Sequence, residues 1–379
     1  MKKLSFFLFI IVFLGCMPIN IFAISARSAV VMDMASGRIL YSHNKDEKLG
    51  MASTTKIMTA ICALEYGDPE MTVTISKTAS GVEGSSMYLR VGEKLKLIDL
   101  IYGLMLVSGN DAATAIAESI SGSVEEFSVL MNKKAFEIGA FNTSFTNPHG
   151  LSDKNHYTTA SDLAKITAYA MKNPLFQEIV KSKSKKLPQN EGGMPRYLVN
   201  HNKFLSMYDG CVGVKTGFTK ATGRCLVTAA ERNNMTLISV TLNAPNDWRD
   251  HKELLDSAFT SYSPYKIKNA GEVIGTSQIK KGTADSIELV TLTDIFIPVK
   301  PGEETSITTS FEPYEDLTAP VKRGDILGRL IVKSGEIEVG EFPLVAKTDI
   351  ELKPVIFKAE YSFSTSLKKV FWAWLTCFK

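Results

Sequence analysis

A chain of 379 residues, 45% hydrophobic and 22% charged, has room for two globular domains with real cores. Its net charge of +3 owes two units to Lys2 and Lys3, and no basic stripe with interleaved aromatics lies outside the last few residues, which excludes a nucleic-acid partner. The five histidines form no H-E-x-x-H or comparable cluster, so a zinc peptidase is excluded and no cofactor is expected.

Residues 1–25 have the form of an export signal: Lys2 and Lys3, an apolar run over 4–14, and Ala23-Ile24-Ser25 as an A-x-S cleavage site before Ala26. The run is short for a membrane span, and Cys16 is expected to leave with it. Ala29-Val30-Val31-Met32 and Arg38-Ile39-Leu40-Tyr41 then predict a hairpin around Ala35-Ser36-Gly37. Ser53-Thr54-Thr55-Lys56 opens an apolar run that predicts a buried helix, with Ser53 near its N-cap and Cys62 a small core residue. Helices follow over 97–107 and 112–120, separated by Ser108-Gly109-Asn110, with Asp111 as the expected cap. Asn147-Pro148-His149-Gly150 interrupts a helical middle.

From 212 the period changes to strands, over 212–216, 224–230 and 235–242, and a helix is predicted over 250–262. Cys211 and Cys225 flank the first turn out of register, which favours free thiols. Strands at both ends with helices between predict an α+β domain over 26–265, one antiparallel sheet beside a helical cluster. Residues 270–354 alternate like a small all-β domain without evident chemistry. In the tail, Leu367, Val370, Phe371, Trp374, Leu375 and Phe378 share one helical face, so 364–379 is expected to be an amphipathic helix lying on a membrane surface.

Three short motifs carry the chemistry. S-x-x-K alone is weak, for it recurs at Ser42, Ser182, Ser263, Ser277 and Ser366, but only Ser53 opens an apolar helix and is followed in order by Ser108-Gly109-Asn110 and Lys215-Thr216-Gly217. A serine hydroxyl needs a base, and Lys56, three residues on, shares its helical face. That amine must be desolvated or held beside a cation to be neutral, and Lys215 supplies one. Ser108 is placed to relay a proton to a leaving amine and Asn110 to hold a substrate peptide group. Thr216 offers a hydroxyl to a terminal carboxylate, and Gly217 lets a substrate backbone approach the strand.

The ordered motifs resemble those of low-molecular-mass penicillin-binding proteins, the serine-type D-alanyl-D-alanine carboxypeptidases, whose catalytic domain has the β-lactamase/transpeptidase-like fold. Gly84-Ser85-Ser86-Met87, Asn147-Pro148-His149-Gly150-Leu151 and Thr158-Thr159-Ala160-Ser161-Asp162-Leu163 are also similar to family segments. The resemblance implies removal of the terminal D-Ala from peptidoglycan stem pentapeptides through an acyl-enzyme on Ser53, which β-lactams also acylate. It implies an oxyanion hole from the N–H groups of Ser53 and Phe218, and an exported enzyme on the outer face of the cytoplasmic membrane. Phe218 stands where some relatives carry His, His201 where some carry Arg, and Arg249 is a candidate auxiliary group. Two alternatives remain at this point, a serine β-lactamase and a wall-binding protein without turnover. The E-x-x-L-N pattern of a deacylating glutamate is absent between Asn110 and Lys215.

Overall fold

The computed structural model describes residues 24–188 and 195–354. Most of the export-signal segment, including Cys16, and the expected tail helix at 364–379, with Cys377, lie outside the described residues.

Strands β1 (Ser28–Asp33) and β2 (Ile39–His43) make the expected hairpin, turned by Gly37 at φ 73°. Two small ribbons follow: β3 (Thr72–Thr74) with β4 (Lys94–Lys96), and β5 (Ser184–Leu187) with β6 (Arg196–Val199). Strands β7 (Cys211–Thr219), β8 (Gly223–Arg232) and β9 (Met235–Leu242) complete an antiparallel sheet in the order β2-β1-β9-β8-β7. Because β1 pairs with β9, the start of the domain is locked onto its end.

The longer helices are α1 (Lys56–Tyr66), α2 (Leu97–Leu106), α3 (Asn110–Ser121), α4 (Val124–Ile138), α5 (Ala160–Ala170), α6 (Pro174–Lys181) and α7 (Asp247–Ser261), and single turns of helix stand at Lys77–Ser80 and Phe204–Met207. Side chains alternate across a strand, and the two faces of β1 serve two cores. Val30 and Met32 join Ile57, Ile61 and other buried apolar residues of α1 to α6. Ala29 and Val31 join Leu254, Leu255 and Ala258 of α7. The result is three layers, helix cluster, sheet and single helix. Cys62, Cys211 and Cys225 are free thiols, and Cys211 lies opposite Ala230 while Cys225 lies opposite Gly217.

After Tyr262 the described chain contains no α-helix. It forms β10 (Ser263–Lys268), β11 (Val273–Gln278), β12 (Ser286–Thr291), β13 (Ile295–Val299), β14 (Ile307–Pro313), β15 (Ile326–Ser334) and β16 (Ile337–Ala346). A five-stranded sheet has the order β11-β12-β16-β15-β14. The chain divides into two compact units. One holds the residues through Ile267 with Ile295–Thr309 and Ile331–Glu341; the other holds Lys268–Asp294, Ser310–Leu330 and the residues from Phe342 onward. Four strands, β10, β14, β15 and β16, contribute residues to both units. No helix among the described residues is long and apolar enough to cross a membrane.

Candidate active site

Ser53 does not cap a helix. It sits in a 3-10 turn, Ala52–Thr55, and the α-helix starts at Lys56. The reason is local: the hydroxyls of Thr54 and Thr55 donate back to the carbonyls of Met51 (2.7 Å) and Ala52 (2.8 Å), closing a tighter turn than an α-helix allows. A 3-10 turn eclipses residues three apart, so Lys56 Nζ lies 3.1 Å from Ser53 Oγ.

Lys56 is fully buried. Its amine also donates to Asn110 Oδ1 (2.8 Å) and to the His149 carbonyl (2.6 Å). Burial pushes its pKa well below the usual lysine range, the neighbouring Lys215 charge pushes the same way, and Asp111 opposes them. Lys215, 1% exposed on β7, is pulled down to about 7 by burial, and its nearest acceptor is the Thr216 carbonyl at 3.1 Å.

Ser108 lies between α2 and α3 at φ 61°, and its buried hydroxyl oxygen has no hydrogen-bond partner. A buried polar atom left open in a cleft is a place for a ligand group or a water. Asn110 is committed on both sides, accepting from Lys56 and donating from Nδ2 to the Glu83 carbonyl (2.6 Å). One Nδ2 hydrogen remains for a substrate carbonyl. Asp111 is not the expected cap, for Gly109 occupies the N-cap position. Its buried carboxylate accepts instead from Ser86 Oγ (2.6 Å), Met87 N (3.1 Å) and Leu89 N (3.1 Å), tying an irregular strap beside the site.

These groups border a cleft of about 470 Å³ lined by Ser53, Ser85, Ser108, Thr216, Gly217 and Phe218, among others. Gly217 is needed there: a Cβ would lie 3.1 Å from both Ser53 N and Met51 O. The same cleft is also lined by His201, Lys203, Arg224, Asp247 and Trp248. Arg249 does not line it. Its side chain is 57% exposed and lies 3.8 Å from Glu253 and 3.9 Å from Asp250. The arginine in the cleft is Arg224, held by Asp247 at 2.9 Å, and hairpin register could have found it, since it pairs directly with Phe218. The structure thus brings Ser53, Lys56, Ser108, Asn110, Lys215, Thr216, Gly217 and Phe218 together and leaves Arg249 outside.

A D-alanyl-D-alanine carboxypeptidase family model matches residues 17–246, and a model of the penicillin-binding protein 5 C-terminal domain matches 262–352. D-alanyl-D-alanine carboxypeptidase DacF of Bacillus subtilis is 34% identical over 92% of this chain and 90% of its own. DacA of Haemophilus influenzae, also named a D-alanyl-D-alanine carboxypeptidase, is 33% identical over 86% of each. The crystal structure of penicillin binding protein 5 from Haemophilus influenzae superimposes with a TM-score of 0.67 at 31% identity, covering 87% of this chain and 98% of that one. An all-β C-terminal part and a mixed helix-and-sheet body with the ordered serine and lysine motifs accompany those matches, and the chain belongs to the D-alanyl-D-alanine carboxypeptidase family of serine penicillin-binding proteins.

Proposed function

We propose that this chain is a D-alanyl-D-alanine carboxypeptidase that removes the terminal D-Ala of peptidoglycan stem pentapeptides. Ser53 is the nucleophile and Lys56 its base. Neutral Lys56 takes the hydroxyl proton as Oγ attacks the penultimate carbonyl, and the backbone N–H groups of Ser53 and Phe218 receive the oxyanion. The leaving D-Ala amine is protonated through Ser108, and a water then cleaves the acyl-enzyme. Asn110, Lys215, Thr216, Gly217 and Phe218 hold the substrate, with Lys215 and Thr216 facing its terminal carboxylate. β-Lactams acylate the same serine. The observation that carries this reading is the contact of 3.1 Å between Ser53 Oγ and a fully buried lysine whose pKa is strongly depressed. The relatives reported above are named carboxypeptidases, which gives the β-lactamase alternative no support.

The test is labelled-penicillin gel binding together with D-Ala release from a diacetyl-Lys-D-Ala-D-Ala type peptide, on wild type and Ser53→Ala. Both signals vanish in the mutant if the reading holds. Label without release in the wild type would leave a binder, and rapid loss of label without peptide turnover a β-lactamase.

The organisation proposed around this site is a signal segment, a catalytic domain to about residue 265, a β-rich domain over 270–354 and an anchoring helix at 364–379 on the outer face of the cytoplasmic membrane. The apolar tail face and its flanking lysines support the anchor. Deleting 364–379 should release the protein from membranes with its peptidase rate intact. Retention of the shortened protein on membranes would refute the anchor.

A further inference from the structure

Asp250, on the buried side of α7, is a carboxylate with 0% exposure and an incomplete set of partners. Its Oδ2 accepts from the Ser25 amide (3.0 Å) and the Ser25 hydroxyl (2.6 Å). Its Oδ1 has no hydrogen bond, with Arg249 Nη2 3.9 Å away. The Ser25 hydroxyl accepts in turn from the Asn246 amide at 2.9 Å, so Ser25 joins the N-terminal strand to the loop that starts α7. Ile24 packs on the same core as Ala29, Leu254 and Ala258. Both residues are therefore working parts of the fold. An A-x-S cut before Ala26 would remove them and take two donors from a buried carboxylate, a loss of the kind that costs most when the group is charged.

We infer that processing of the exported chain occurs between Ala23 and Ile24, and that the α-ammonium created on Ile24 pairs with the open Oδ1 of Asp250. The inference rests on the export reading above. A cut there keeps a small residue, Ala23, immediately before the scissile bond. Water supplies a hydroxyl to the Ala23 carbonyl carbon and a proton to the Ile24 nitrogen, which takes a second proton to become the ammonium. That nitrogen is one residue upstream of the Ser25 amide already bonded to Asp250, and consecutive Cα atoms are about 3.8 Å apart, so the ammonium is within reach of the carboxylate. Other ionisable groups facing Asp250 are Arg249 on its own helix and Tyr41 on β2, whose phenol the carboxylate helps push up.

The first measurement is N-terminal sequencing and intact mass of the protein exported by a bacterial host from the full 379-residue chain. Ile24 as the first residue is expected. Ala26 would overturn the inference and leave export standing, whereas a chain retained with Met1 would overturn both. The second measurement follows thermal stability of the Ile24 form from pH 7 to pH 10. An ammonium paired with a carboxylate has its pKa raised above the usual value of about 7.7–8.0, so its contribution is present below that range and is lost as pH rises through the folded value. The resulting alkaline fall in Tm should disappear in Asp250→Asn, and its persistence there would refute the pairing. If Asp250→Asn does not fold, the cyanate reactivity of the native N-terminus at pH 7 reads the same contact without a substitution. It should be at least tenfold below that of the urea-unfolded chain, and equal reactivity would refute the pairing.

Discussion

Lys56 and Lys215 are both buried amines, yet their surroundings assign them opposite duties. Lys56 meets three oxygens, Ser53 Oγ, Asn110 Oδ1 and the His149 carbonyl, and feels the charge of Lys215. Losing its proton relieves both the desolvation and that repulsion, which makes it a base at neutral pH. Lys215, whose one hydrogen bond among the described residues goes to the Thr216 carbonyl, is improved as a cation when a carboxylate arrives beside it. Acylation therefore rises with pH as Lys56 becomes neutral and falls again as Lys215 loses its charge, the latter near pH 7 in the free enzyme and higher with an anionic substrate bound. Lys56→Arg keeps a long cationic side chain but cannot give up its proton. The penicillin acylation rate of this variant should fall by about 10²–10⁴-fold, the usual contribution of a general base. A rate within threefold of wild type would remove Lys56 from that role.

At the level of elements, the nucleophile turn is shaped by parts far along the chain. Ala52 stands at φ 48°, a conformation that must be held in place. Gly150, at φ 88°, packs onto it so closely that a Cβ would come within 1.9 Å of the Ala52 carbonyl oxygen. The same loop delivers the His149 carbonyl to Lys56. His156 Nδ1 accepts from the Thr146 amide (3.1 Å), so Nε2 carries the ring proton and donates to Thr55 Oγ1 (2.7 Å), whose own hydroxyl donates to the Ala52 carbonyl. Gly150→Ala should therefore lower acylation by at least tenfold while costing about 1–3 kcal/mol of stability. Stability can be read from urea unfolding, and an unchanged acylation rate would show that the loop does not set the turn. In the sequence, Asn147-Pro148-His149-Gly150 was legible as a turn and as a segment similar to the family's, but its contact with Lys56 was not. Spacing marks which residues share a helix or strand, but a carbonyl reaching across from position 149 to position 56 leaves no periodic trace. Asp111 escaped for the same reason, since its partners Ser86, Met87 and Leu89 lie on an irregular strap.

Across the whole molecule, the hairpin, the strand triplet and the all-β C-terminal part were readable because short β-branched and apolar runs are separated by turns that carry glycine or asparagine. The third layer was less so. Helix α7 begins at Asp247 rather than 250, and those three residues bring Asp247 and Trp248 into the cleft while Arg249 points to solvent. The buried histidines are a further tertiary feature with a measurable consequence. His251 lies between the hydroxyls of Thr228 (2.7 Å) and Thr241 (2.9 Å), and burial lowers its pKa to about 3. His156, 4% exposed, is lowered to about 4 by the same cause. Both are neutral when folded and take up protons near pH 6.5 when unfolded, so the unfolded state binds more protons in this window. Their contribution is complete above about pH 6.5 and is lost as pH falls toward about 4 for His156 and about 3 for His251. Between pH 7 and pH 5 each histidine should remove about 2 kcal/mol, because each pH unit below the unfolded pKa costs about 1.4 kcal/mol. At pH 5 this depends little on the folded pKa values, which lie lower still. Urea unfolding at the two pH values should show a combined loss of about 4 kcal/mol from this pair, and His251→Gln should reduce the wild-type difference by about 2 kcal/mol. A variant with the full wild-type difference would mean that His251 is already protonated in the folded protein, which its complete burial argues against.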